Sequence, residues 1–177
     1  MTAFIKRIII IGFCIVFVSG CATSQKEAVQ DSQKAVTTIF RDKIHNANAQ
    51  ADHFTYYKPS TLTISQKGEH NIIFHDFNEN IYILFVNPVE DKLSKMNYEA
   101  ALRDKNKGDT LKQFKAGNTF LYIYVKPLKG DKKVELVVDG GGVKMSTKTT
   151  LDHLVEKSKI MAEMIHSVKI KKRGEEG

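Results

Sequence analysis

From Val29 onward, apolar residues recur at Val29, Val36, Phe40, Ile44, Ala47, Ala51 and Phe54, in steps of seven, four, four, three, four and three. That spacing predicts one amphipathic helix of roughly 25 residues, with Gln30, Asp31, Lys34, Arg41, Asp42 and Gln50 on its other faces. Ser24 followed by Glu27 has the form of a capping box and marks the helix start. Pro59 ends the helical pattern, and three strand-like runs follow, Leu62 to Ser65, Asn71 to Phe77 and Ile81 to Asn87. The last of them is apolar from Ile81 to Val86, which places it centrally in a sheet. Residues 89–118 are weakly patterned; Leu93, Met96, Ala100 or Ala101, Leu111 and Phe114 predict one or two short helices around a polar break with Gly108. A second set of strands follows, Thr119 to Lys126, Lys133 to Asp139 and Val143 to Thr147, with Gly140 to Gly142 as a hairpin turn. The chain closes on a helix capped by Thr150, with Leu151, Leu154, Val155, Ser158, Met161, Ala162, Ile165 and Val168 at helical spacing.

Two amphipathic helices at the ends of the pattern and about six strands between them predict an α+β fold. It is an antiparallel sheet with the N- and C-terminal helices packed on one face. The alternative arrangement is a curved sheet of the NTF2 or cystatin kind with one long helix. The apolar stripe of the first helix covers that sheet or serves as a seam for a partner.

Upstream of these elements, Lys6 and Arg7 precede an apolar run from Ile8 to Val18, followed by Val18, Ser19, Gly20 and Cys21. The run rises only about 16 Å as a helix, roughly half of a ~30 Å hydrocarbon core, and so suits a cleaved signal better than a membrane span. Val18, Ser19, Gly20 and Cys21 resemble the lipobox of bacterial lipoprotein precursors. The resemblance covers residues 1–21 and implies a signal peptide over 1–20, a diacylglyceryl group on the Cys21 thiol and an extracytoplasmic, membrane-anchored mature protein. With the lipidated tether over 21–24, the remaining length suits a single domain over 25–168, and the basic, polar residues 169–177 read as a flexible tail. Cys14 lies inside the signal, so the mature chain has no second thiol for a disulfide.

The formal charge of +7 would ordinarily suggest nucleic acid, but an exported chain meets little of it. Lysines are scattered except at Lys169, Lys171, Lys172 and Arg173, which are candidates for contact with anionic headgroups or wall polymer. The chemistry-bearing motifs are sparse. His45, His53, His70, His75, His153 and His166 show no zinc-binding spacing, and His75 and Asp76 fall on opposite faces of a strand. Met161, Met164 and His166 fit core packing better than a soft-metal site. Asp139 and the three glycines after it run into a strand, whereas a phosphate loop runs into a helix. No metal or cofactor is expected. Three functional readings remain. The first is a non-enzymatic lipoprotein that binds a protein partner or acts in an envelope assembly. The second is a small-molecule or polymer-binding module, with Tyr56, Tyr57, Tyr82, Phe120, Tyr122 and Tyr124 along a groove. The third is an enzyme whose carboxylates or histidines converge only in space.

Overall fold

A computed structural model describes residues 24–42, 45–130 and 132–171. The first helix, α1 (Gln25–Arg41), opens on the expected capping box: the Glu27 N–H donates to Ser24 Oγ and the Ser24 N–H to Glu27 Oε2, each at 3.2 Å. Val29, Val36 and Phe40 form its buried face, with Ala28 and Ser32 beside them. The helix is shorter than predicted and ends at Arg41. Beyond it Asn46, Asn48 and Asp52 favour local side-chain bonds over helix. Asn48 illustrates the competition: its Nδ2 donates to Lys58 O at 2.9 Å and its Oδ1 accepts from the Lys58 N–H at 2.7 Å. Ala51 and Phe54, expected on the helix, instead lie between and on two short strands, β1 (Ala49–Gln50) and β2 (Phe54–Tyr56). Ile44 lies outside the described residues.

The main sheet is antiparallel and seven-stranded. In chain order its members are β3 (Leu62–Lys67), β4 (Asn71–Asp76), β5 (Ile81–Val86), β6 (Thr110–Ala116), β7 (Thr119–Pro127), β8 (Lys133–Gly140) and β9 (Val143–Thr150). Their spatial order is β3-β4-β5-β9-β8-β7-β6, so each expected triplet is a meander and β5 pairs with β9 to join the two. The α+β architecture with helices packed on an antiparallel sheet is as expected; the seventh strand is not. Leu111 and Phe114, three apart, suggested a helix. On β6 that odd separation instead sends Leu111 to the outer cluster and Phe114 to the main core. Between β5 and β6 the predicted short helix is present as α2 (Met96–Asp104).

A turn of 3₁₀ helix, Leu151–His153, leads into α3 (Leu154–Ser167), and Thr150 makes no side-chain cap bond. The last helix packs against α1 and across β8 and β9. Inward residues of alternating parity, such as Ile72 and Phe74, Tyr82 and Leu84, Leu136 and Val138, and Met145, meet them and are fully buried. Burying a side chain of this size contributes about 1.5–3 kcal/mol. The β8–β9 connection is a two-residue turn with Gly141 and Gly142 at φ of 56° and 79°, the left-handed pair that such hairpins require. Among the described residues, no helix is long and apolar enough to cross a membrane.

The expected boundary of the basic tail moves. Lys169–Ile170 form β10, which pairs with β2, and the Lys171 N–H donates to His53 O at 2.9 Å. Ending the chain after Val168 is therefore expected to remove a strand and lower the unfolding free energy by roughly 1–2 kcal/mol, a loss that urea denaturation would register.

Candidate functional site

The two faces of the main sheet are covered unequally. The inner face carries α1 and α3. On the outer face, α2 covers only the β6–β7 side, where Tyr98 meets Phe120 edge-on at 5.4 Å and Tyr122 at 5.8 Å. That makes β7 the strand buried on both faces, from Phe120 to Val125. The β5 run, equally apolar, is covered on one face alone: Tyr82, Leu84 and Val86 point inward, while Ile81 is 58% and Ile83 41% exposed. Cross-strand register sets Ile73 opposite Ile83 and Asn71 opposite Phe85, so Ile73, Ile81, Ile83 and Phe85 form one apolar row on β4 and β5. Lys144 Nζ sits 5.4 Å over the Phe85 ring at one end of the row. At the other end an open groove of about 390 Å³ is walled by Glu79, Lys133, Glu135 and Lys148, two charges of each sign, with Ser146 and Thr147 in its floor.

The sheet buries two carboxylates, Asp76 on its inner face and Asp139 on its outer face. Asp76 continues the inward parity of Ile72 and Phe74 and meets Lys157 from α3, Nζ to Oδ2 at 3.0 Å. Its oxygens also accept from the backbone N–H groups of Asn78 and Asn80 and from the Asn80 side chain. Burial pushes its pKa up, but bonds from Asn80, Lys157 and Asn78 outweigh that and bring it down to about 2. Lys157 is held protonated against its own burial by Tyr82 and Asp76. Asp139, on the outer face beneath α2, is the opposite case. Burial, with Glu90 adding to it, outweighs the Asn97 bond and Lys144 and raises it to about 7.

Of the residues singled out from the sequence, Val18, Ser19, Gly20 and Cys21 lie outside the described residues, as do Lys172 and Arg173. Lys169 is in β10, and Lys171 Nζ donates to Ala51 O at 2.9 Å, so neither begins a flexible tail. The six aromatics do not share a groove. Tyr56 and Tyr82 are in the inner core, Phe120, Tyr122 and Tyr124 lie under α2, and Tyr57 stacks on His45 at 4.5 Å. The histidines are dispersed as well. His75 bonds Ser65 on the face opposite Asp76, His153 meets Glu156, and His166 stacks on Phe40 at 4.6 Å. His53 and His70 come together across chain distance, each facing Glu69, at 3.6 and 3.7 Å. Among the described residues no group of three or more such side chains is arranged to hold a metal ion. Met161 and Met164 are fully buried core residues; Gly141 and Gly142 form the hairpin turn, while Gly140 ends β8 paired with Val143. The sequence reading missed Asp76 with Lys157 and Asn97 with Asp139. A signal existed for the first pair, since Asp76 keeps the inward parity of β4 and Lys157 lies three residues after Leu154 and four before Met161.

A second concavity, of about 460 Å³, lies where the C-terminal ends of α1 and α3 meet the β8–β9 turn. It is lined by Phe40, Val143, Ile165 and His166, with Glu90 and Lys92 at its rim. Burial, reinforced by Lys92, lowers the pKa of His166 there.

The fold places the chain among α+β proteins with helices packed on an antiparallel sheet. No protein-family profile matches it, and no curated protein is a significant match. A crystal structure of a protein from Bacteroides thetaiotaomicron VPI-5482 is similar over 69% of this chain, at 15% sequence identity and a TM-score of 0.36. The chain spans about half of that protein's length, 46%.

Proposed function

We propose that the protein is an extracytoplasmic lipoprotein, anchored through Cys21, that acts without catalysis by binding a protein partner in the cell envelope. The observation that supports this reading is the half-covered outer face, where α2 leaves an apolar row on β4 and β5 uncovered, Ile81 and Ile83 exposed and Ile73 and Phe85 half-buried. Contiguous exposed apolar surface of this kind marks contact sites. The mixed charges of Glu79, Lys133, Glu135 and Lys148 suit a polypeptide carrying both signs better than a polyanion. The buried carboxylates support a binding role too, because Asp76 is neutralised by Lys157 and Asp139 is shut beneath α2. The cavity beside His166 favours a second reading, a small-molecule binding module. Attraction to anionic headgroups, at about 1 kcal/mol per close basic side chain, would supplement the anchor.

Two experiments test the proposal. Cells expressing Cys21→Ser should release the protein from the membrane pellet, because the acyl chains of this lipoprotein class supply ~0.8 kcal/mol per buried CH₂. Mature-sized protein staying in the pellet would remove lipidation at Cys21 from the account. Ile83→Lys on the open face should change stability by less than about 1 kcal/mol in urea denaturation, yet abolish partner association. Unchanged association would point to the cavity.

A further inference from the structure

Independently of the partner reading, the outer face carries a cover with an identifiable fastening. No residue of α2 is fully buried; Tyr98 and Ala101 rest on the cluster of Phe120, Tyr122 and Tyr124, which are 3%, 2% and 7% exposed. The segment is tied at both ends. In front, the Phe120 N–H donates to Lys92 O at 2.8 Å; behind, Tyr124 Oη donates to Asp109 Oδ2 at 2.5 Å and Gln25 Nε2 to Gly108 O at 3.1 Å. Residues 93–107 thus span the interval between these fastened ends. In the middle of that span, Asn97 Nδ2 donates to Asp139 Oδ2 at 2.8 Å. Asp139 is 2% exposed, and this neutral amide is the group α2 offers it. The other groups facing it are Lys144 across on β9, Tyr122 across on β7, and Glu90 from the loop before α2.

We propose that Asn97 and Asp139 form a proton-operated catch: α2 is clamped over Phe120, Tyr122 and Tyr124 while Asp139 is protonated, and lifts to uncover that aromatic row when Asp139 ionises. A carboxylate shut under a helix loses more hydration on ionising than the Asn97 amide and Lys144 across on β9 restore. Lifting α2 returns the charge to water. Covered Asp139 titrates near 7, against an ordinary value of 3.8. The covered pKa is raised, so closure is strongest below the ordinary value. It weakens as pH climbs through the interval to about 7, and stays weak above it.

Hydrogen exchange of the 96–104 amides in the full-length protein, corrected for intrinsic rates, tests this at pH 5.5 and 8.5. The wild-type opening constant should rise by up to about thirtyfold between them. Asp139→Asn keeps the acceptor for Asn97 without the charge, and its α2 amides should stay protected at both values. A flat wild-type profile, or an equal rise in Asp139→Asn, would overturn the catch. Should Asp139→Asn also lose protection in β7 to β9, Asn97→Ala decides instead. It should expose the α2 amides while leaving the strands protected, and persistent α2 protection would refute the proposal.

Discussion

Lys157→Ala should lower the unfolding free energy by about 3–5 kcal/mol and the melting temperature by roughly 10 °C, because it removes one partner of a buried ion pair. The substitution leaves Asp76, 8% exposed, without its counter-charge and vacates the position 5.7 Å over the Tyr82 ring. Asn78 and Asn80 keep bonding the carboxylate, so the β4–β5 turn should survive while the tie to α3 is lost. Removing both charges with Asp76→Asn and Lys157→Met should recover much of the stability, because a matched pair of neutral groups leaves no buried charge. The acid limb of the stability curve gives a second check. Folded Asp76 titrates at about 2 against an ordinary 3.8, so its contribution is complete above the ordinary value and is lost as pH falls through the interval. That loss amounts to roughly 2 kcal/mol in the wild type and should shrink in Lys157→Ala. Thermal unfolding between pH 2 and pH 7 measures both.

Gly141→Ala should destabilise by roughly 3 kcal/mol, whereas Gly117→Ala should be near 1 kcal/mol. The two glycines have almost the same backbone, φ of 56° and 55°, so the left-handed penalty is shared. They differ in surroundings. A Cβ at Gly141 would stand 2.5 Å from Lys92 Cα, while one at Gly117 meets nothing within 4 Å. The excess measured by urea denaturation is thus the effect of pushing the 87–92 loop off the hairpin. Faster exchange of the Phe120 amide, whose acceptor is Lys92 O, should accompany it.

The strands with strict alternation or an unbroken apolar run were legible from the sequence, as was the capped start of α1, because each signal is local; Thr150 was not the side-chain cap it resembled. Four features were not legible. The stripe from Val29 to Phe54 kept helical spacing past Arg41 by coincidence, while the Asn48 bonds to Lys58 that displace helix there depend on a neighbouring strand. β6 lies at a sheet edge, with Lys112, Gln113 and Lys115 among its residues, so its pattern carries little apolar contrast. The β5 and β7 runs read alike, yet one has an open face and the other lies under α2. That difference comes from where a weakly patterned helix lands, and it defines the candidate surface. Charges placed at inward positions, Asp76 and Lys157, were readable in parity; their pairing across 81 positions was not.

The open half of the outer face is central to the functional account, and photo-crosslinking in intact cells tests it most directly. A photoreactive residue at Ile83 should give one discrete adduct with an envelope protein, and Ile81→Lys in the same chain should abolish it. The same residue at Lys34, exposed on α1, should give none. A folded, membrane-associated protein that forms no adduct from position 83, or the same adducts from 83 and 34, would contradict the account.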